Sequence, residues 1–213
     1  NSSELAPFIP ALRAALPNAY LWAGDGPVGG DQWDPLAGAG VGYNDGQRRF
    51  WFVFPMHGND TASFVAGVEP MGAVQLACGA HVNAFVDQIC ARFSLPATRI
   101  VLCGDQHGAC VALAAAMMRR ADPFALTVLL DPWPLEPLYL AHEPNLPATR
   151  VVCIDNAHIR AREAAKGFPA AVAEQLRGYG INAQGITLPG GGDRADAAIW
   201  GEAAWQMRAL LIQ

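Results

Sequence analysis

The residues best suited to chemistry form a polar trio between two glycines, in the segment Gly104-Asp105-Gln106-His107-Gly108. An apolar run over 99–103 precedes this segment, and a longer apolar run over 109–118 follows it. This order predicts a strand, a tight turn and a helix. The side chain at the apex of such a turn is raised to the edge of the sheet where ligands bind. The apex residue is Gln106, whose amide cannot attack an acyl carbon.

Five titratable residues are candidates for acid/base work. Asp105 and His107 flank the apex, and His158 could form a couple with Asp155 or with Asp193. The structural alternative for His107 is a half-exposed ring on the first turn of a helix. The alternative for His158 is an ordinary loop residue.

A candidate binding pocket around the apex combines Gln106 and His107 with two aromatic residues, Trp51 and Trp133. Tryptophan rings give a pocket a large apolar surface together with one hydrogen-bond donor. Aromatic residues in apolar stretches also belong to protein cores, so both interpretations stay open for these two rings.

Cysteine spacing argues against a metal site. The five cysteines are widely separated and include no C-x-x-C pair. We expect buried, reduced thiols, as is usual in a cytoplasm, and no metal or other cofactor. Cys103 and Cys110 lie close to the apex without occupying it, and both are predicted to be core residues.

The composition predicts one globular domain over residues 1–213. Hydrophobic residues make up 52% of the chain and charged residues 15%, which suits a sizeable buried core. The net charge is -5 and the basic residues are scattered, so nucleic acid is a poor candidate partner. No apolar run reaches the length of about 18 residues needed for a membrane span. We therefore expect a cytoplasmic protein.

The elements predicted along the chain alternate between strands and helices. A first helix ends at Pro17, and the segments over 24–47 and 132–147 are predicted loops. Strands are predicted over 19–23, 49–55, 99–103, 124–130, 150–155 and 182–188, and helices over 69–93, 109–118, 160–179 and 194–211. Such alternation favours a parallel sheet that is covered by helices on both faces.

The segment over 99–113 resembles the nucleophile elbow of the phospholipase/carboxylesterase (acyl-protein thioesterase-like) branch of the α/β-hydrolases, where the turn typically reads G-F-S-Q-G. The segments over 4–17 and 68–96 look like helices of that family. The segment over 188–192 lies where the family has a strand and then its catalytic histidine. The resemblance implies a three-layer α/β-hydrolase-like fold with a mostly parallel central sheet.

This chain departs from the family's pattern at each catalytic position. Gln106 replaces the catalytic serine. Asp193 stands at the position of the catalytic histidine, and the segment over 156–158 stands at the position of the catalytic acid. The family's oxyanion strand would lie before Asn1. Either this chain lacks its N-terminal strands, or another segment such as the run over 50–58, which ends in His-Gly, takes the place of the oxyanion strand.

Three functions remain open from the sequence. The first is a catalytically degenerate protein that binds a small acyl-type ligand or a protein partner. The second is an active carboxylesterase or thioesterase with a rearranged site, in which Asp105, His107 or His158 activates water. The third is a structural subunit of a homo- or hetero-oligomer, whose sheet is completed by another chain.

Overall fold

A computed structural model describes most of the segments that surround the candidate site. The described residues are 9–16, 43–44, 49–50, 68–105, 107–119, 121–132, 150–165, 167, 170–189 and 197–211. The predicted strand over 19–23, most of the predicted loop over 24–47 and nearly all of the segment over 132–147 lie outside them. The run over 50–58 is described only at Phe50.

Two short strands, β1 (Tyr43–Asn44) and β2 (Arg49–Phe50), form an antiparallel pair. The strand predicted over 49–55 therefore begins where expected. The loop predicted over 24–47 is wrong at its end, because β1 lies within it. Four residues, Asp-Gly-Gln-Arg over 45–48, separate the two strands in sequence, and the Asp-Gly dipeptide at their start favours a turn.

Four parallel strands form the central sheet. In spatial order they are β3 (Val101–Asp105), β4 (Leu126–Leu130), β5 (Val151–Asn156) and β6 (Ala183–Leu188). Every residue of β4 and β5 is buried, whereas every residue of β3 is half-buried. Continuous apolar runs such as β4 are typical of strands that are covered on both faces.

Helices cover both faces of this sheet. They are α1 (Ile9–Ala15), α2 (Val68–Phe93), α3 (His107–Met118), α4 (Ala157–Ala165), α5 (Val172–Gly178) and α6 (Ala197–Leu211). One buried cluster joins α3 and α5 to the sheet, and a second joins α1 and α6 to its opposite face. The predicted three-layer arrangement with a parallel sheet is therefore confirmed.

The helix α3 lies between the sheet and α2, so it is apolar nearly all round. Its alanine-rich sequence lets α2 approach closely. A side chain at Gly79 of α2 would place its Cβ 2.8 Å from the backbone nitrogen of Ala115. The Asn83 side-chain amide donates a 2.9 Å hydrogen bond to the Ala115 carbonyl at the same crossing. Gly79, which weakens the helical pattern in the sequence, is therefore explained by helix packing.

The single helix predicted over 160–179 is wrong, because the chain forms two helices there, α4 and α5. Gly167 lies between them with a φ of 94°, in the left-handed region that favours glycine. Pro169, two residues later, has no backbone N–H for a continuing helix. The boundaries of the other predicted sheet strands agree with the structure to within about two residues.

Two further findings concern cysteines and membranes. Cys90, Cys103, Cys110 and Cys153 carry thiols rather than disulfides. Within the described segments, no helix is both long enough and apolar enough to cross a bilayer.

Candidate functional site

The candidate site is built on the connection between β3 and α3. β3 ends at Asp105 and α3 begins at His107, so one residue, Gln106, separates strand from helix. The turn is tighter than the five-residue turn predicted over 104–108, because both elements extend into it. A Cβ at Gly104 would collide with the Gly108 carbonyl oxygen and lie 2.7 Å from the Ala109 nitrogen. Only glycine fits at position 104.

The second glycine of the turn has a different environment. A Cβ at Gly108 would meet no atom within 4 Å. The two glycines flank the apex symmetrically in sequence, yet the close approach of strand and helix requires only Gly104. The carbonyl oxygen of Gly108 is the atom with which a side chain at position 104 would clash.

Three carboxylates lie at the carboxyl ends of adjacent strands. Asp105 ends β3, Asp131 follows β4 directly, and Asp155 is the penultimate residue of β5. The backbone N–H of Asp131 donates a 2.8 Å hydrogen bond to the Ile154 carbonyl, so the strand pairing continues past β4. Asp105, the last residue of β3, pairs with Leu130. Asp131 therefore lies one position further along, beside the start of the elbow.

Asp131 is the residue at this edge that our sequence analysis missed. Its side chain is buried, with 2% of the residue exposed, and its φ of 42° lies in the left-handed region. Such backbone conformations are uncommon in residues other than glycine and concentrate at functional sites. The only signal in the sequence is that Asp131 directly follows an apolar run, whereas its burial and its place beside the elbow come from the structure.

Strand alternation separates two of these carboxylates. Cys103 packs with the cluster beneath α1 and α6, whereas Cys153 belongs to the cluster beneath α3 and α5. Side chains two residues apart on a strand share a face, so Asp105 and Asp155 lie on opposite faces of the sheet. A joint role in one acid/base couple is therefore unfavourable for this pair.

Asn156, at the position where the family resemblance implies the catalytic acid, has a structural role. Asn156 is buried, and its side-chain oxygen accepts a 2.9 Å hydrogen bond from the Ile159 N–H. This is a helix cap at the start of α4. His158 lies one residue into α4 and is exposed, and the Asp155 carboxylate lies 3.6 Å from the Arg160 Nε.

Burial raises the pKa of the Asp155 carboxyl above its ordinary value of 3.8, while a hydrogen bond with Thr187 and the charge of Arg160 lower it. The net pKa is raised, so the folded protein holds this proton more tightly than the unfolded chain. The corresponding stabilisation is complete below the unfolded pKa and is lost as the pH rises through the folded pKa.

We expect Asp155→Asn to remove this pH dependence. Relative to the parent, the variant should gain free energy of unfolding as the pH rises from about 3 to 7. Urea unfolding at a series of pH values, followed by circular dichroism, measures the difference. Curves for parent and variant that stay parallel across this range would contradict the assignment.

Two thiols on strands of the central sheet, those of Cys103 and Cys153, have raised pKa values. Burial raises the pKa of Cys103, with a smaller contribution from Asp105, and burial likewise raises the pKa of Cys153. Both side chains are therefore neutral thiols at pH 7, which removes them as nucleophiles. The prediction of a core residue is confirmed for Cys110, whereas Cys103 is half-buried and packs against the edge of the core.

The remaining predicted site residues cannot be placed. Gln106, Trp51, Trp133 and Asp193 lie outside the described residues, and His107 is described by its backbone alone. Across the described part of the chain, no three metal-ligating side chains come together.

A parallel sheet between two helical layers, with a one-residue connection from β3 to α3 at its carboxyl edge, is typical of an α/β-hydrolase-type fold. No protein-family model matches the sequence, and no curated protein matches it.

Three solved structures share this fold. The crystal structure of esterase PE8 is similar with a TM-score of 0.66 at 18% identity, over 98% of this chain and 86% of that chain. The crystal structure of Arabidopsis thaliana SOBER1 is similar with a TM-score of 0.57 at 17% identity, over 96% of this chain and 92% of that chain. A second crystal structure, of a SOBER1 variant, gives a TM-score of 0.56 at 18% identity, over 96% of this chain and 93% of that chain.

Proposed function

We propose that this chain is a catalytically degenerate α/β-hydrolase-fold protein that binds a small acyl-type ligand or a protein partner in the cytoplasm. The observation that carries the proposal is the elbow itself. The turn keeps the close Gly104–Gly108 approach that presents an apex side chain, yet the residue at that apex is Gln106. A primary amide is far too weak an acid to give a proton to a histidine, and its nitrogen lone pair is delocalised into the carbonyl, so it does not attack an acyl carbon.

A glutamine at the apex is well suited to binding. Its amide N–H can donate to the carbonyl oxygen of an ester, thioester or amide, and its carbonyl can accept from an N–H or O–H. The comparison structure named as an esterase has the same overall fold. The proposal therefore retains an acyl-type ligand and assigns Gln106 and His107 to its polar end, with Trp51 and Trp133 at its apolar end.

Among the described residues directly beside the apex in sequence, none carries a serine or threonine hydroxyl or an ionised thiol. The Cys103 thiol is neutral because of its burial, and Asp105 and Asp131 are carboxylates at the ends of neighbouring strands. The cytoplasmic assignment is supported by the four thiols, which are not joined in disulfides.

Binding of N-methyloctanamide, a stable acyl amide, tests the ligand part of this proposal. Tryptophan fluorescence should report saturable binding by the parent, and Gln106→Leu should weaken it about tenfold through loss of one or two hydrogen bonds. Gln184→Leu, which changes an exposed glutamine on β6, is the matched control and should bind like the parent. Equal affinity of the parent and Gln106→Leu would exclude Gln106 from the site.

A rearranged hydrolase is the second candidate, and Asp131 favours it. A buried carboxylate in a left-handed conformation, on the strand end next to the elbow, is the kind of group that orients a histidine or a water molecule. In this alternative Asp105, His107, His158 or Asp193 supplies the acid/base function and no acyl-enzyme forms. Hydrolysis by the parent distinguishes it from the first candidate.

A further inference from the structure

The outer edge of β6 has a defined set of outward backbone groups. The Val151 N–H donates to the Asn182 carbonyl, and Val151 lies opposite Ala183 in the parallel register. The backbone groups of Asn182, Gln184, Ile186 and Leu188 therefore point toward β5, since the N–H and C=O of one residue point to the same side. The groups of Ala183, Gly185 and Thr187 point away from β5.

One of these outward groups has a partner. The Arg177 guanidinium, from the end of α5, donates a 2.9 Å hydrogen bond to the Ala183 carbonyl. Gly185 and Thr187 are exposed. Within the described segments, nothing hydrogen-bonds to their outward N–H and C=O groups. Two residues thus present two donors and two acceptors to the solvent.

Apart from Arg177 at its start, the strand itself lacks the usual sequence features that protect a sheet edge. Proteins block exposed edges with charged side chains, prolines, bulges or very short strands. β6 is six residues long, with the sequence AQGITL, and contains neither a charged residue nor a proline. Its regular register with β5 contains no bulge.

We propose that β6 pairs with β6 of a second copy of this chain, in antiparallel orientation about a two-fold axis at Ile186. Gly185 and Thr187 lie symmetrically on either side of Ile186, so this axis brings each Gly185 opposite the partner's Thr187. Four backbone hydrogen bonds form, and the two sheets become one. The half-buried Ile186 side chains meet across the axis.

The neighbouring residues fit this register. The axis places Ala183 opposite Pro189 of the second copy, and a proline has no N–H for the Ala183 carbonyl. Arg177 already supplies a donor to that carbonyl, so its bond can persist in the dimer. No charged side chain of β6 faces a like charge, since the strand contains none.

Amide hydrogen exchange of the parent, measured residue by residue by NMR at high and low protein concentration, tests the pairing. The Gln184, Ile186 and Leu188 amides bond to β5 and should stay protected throughout. The Gly185 and Thr187 amides should be protected in the dimer and exchange at least about tenfold faster on dilution. Concentration-independent exchange at Gly185 and Thr187 would overturn the proposal.

A pair of variants gives an independent measurement. Thr187→Pro removes an outward N–H without touching the β5 ladder, and Thr187→Val keeps that N–H while removing the hydroxyl. By sedimentation equilibrium the parent and Thr187→Val should reach twice the 22.6 kDa chain mass, and Thr187→Pro should dissociate about tenfold more readily. A monomeric parent, or a folded Thr187→Pro that associates as tightly as the parent, would refute the interface. This inference does not depend on the proposed function.

Discussion

Replacing Gly104 with alanine should lower the free energy of unfolding by about 3 kcal/mol or more, which corresponds to a fall in Tm of about 6–12 °C for a chain of this size. The new methyl group would collide with the Gly108 carbonyl and lie 2.7 Å from the Ala109 nitrogen. Both neighbours are backbone atoms at the start of α3, so they cannot move aside by changing a rotamer. Relief requires the helix to shift away from β3.

Gly108→Ala is the matched control for this prediction. It adds the same methyl group four residues later, where nothing lies within 4 Å, and it replaces a glycine in the first turn of a helix. Its stability should equal that of the parent or exceed it by up to about 1 kcal/mol. Urea unfolding of both variants measures the difference, and equal losses at the two positions would contradict the described elbow geometry.

Replacing Gly79 with alanine should cost about 2 kcal/mol, although alanine is the better helix former. The added Cβ would lie 2.8 Å from the Ala115 nitrogen and 2.9 Å from the Ala114 Cβ, so α2 and α3 would have to separate. Separation would also lengthen the hydrogen bond from Asn83 to the Ala115 carbonyl. Thermal unfolding followed by circular dichroism measures the loss.

Gly201→Ala provides the comparison for the helix crossing. Gly201 lies inside α6, and a Cβ there would meet no atom within 4 Å. This variant should gain about 0.5–1 kcal/mol through helix propensity alone. If Gly79→Ala were stabilising to the same extent, the close contact between α2 and α3 would be wrong.

Much of the fold could be predicted because its central elements are locally determined. The runs that became β4 and β5 are largely apolar, and such runs predict strands that are buried on both faces. The elbow could be located from its two glycines and the apolar runs beside them. The different requirements at Gly104 and Gly108 could not, because they depend on how closely the helix returns to the strand.

The candidate site was less predictable because its residues come from separate strands. Asp131 is a candidate because it is buried and has a left-handed backbone conformation, and the local sequence predicts neither property. In the sequence, Asn156 stood at the position of the family's catalytic acid. Its role as a helix cap follows from the structure, where α4 begins directly after it and its side chain accepts a hydrogen bond from Ile159. The division of the helix predicted over 160–179 was signalled in the sequence by Gly167 and Pro169.

We propose that the elbow between β3 and α3 does not support hydrolysis. The most direct measurement is the turnover of short- and medium-chain p-nitrophenyl esters and acyl thioesters by the purified parent, with His107→Ala and His158→Ala variants alongside. We expect the parent not to exceed the rate of a heat-denatured sample. Turnover that co-purifies with the parent and is lost in either histidine variant would contradict this expectation and establish a rearranged hydrolase.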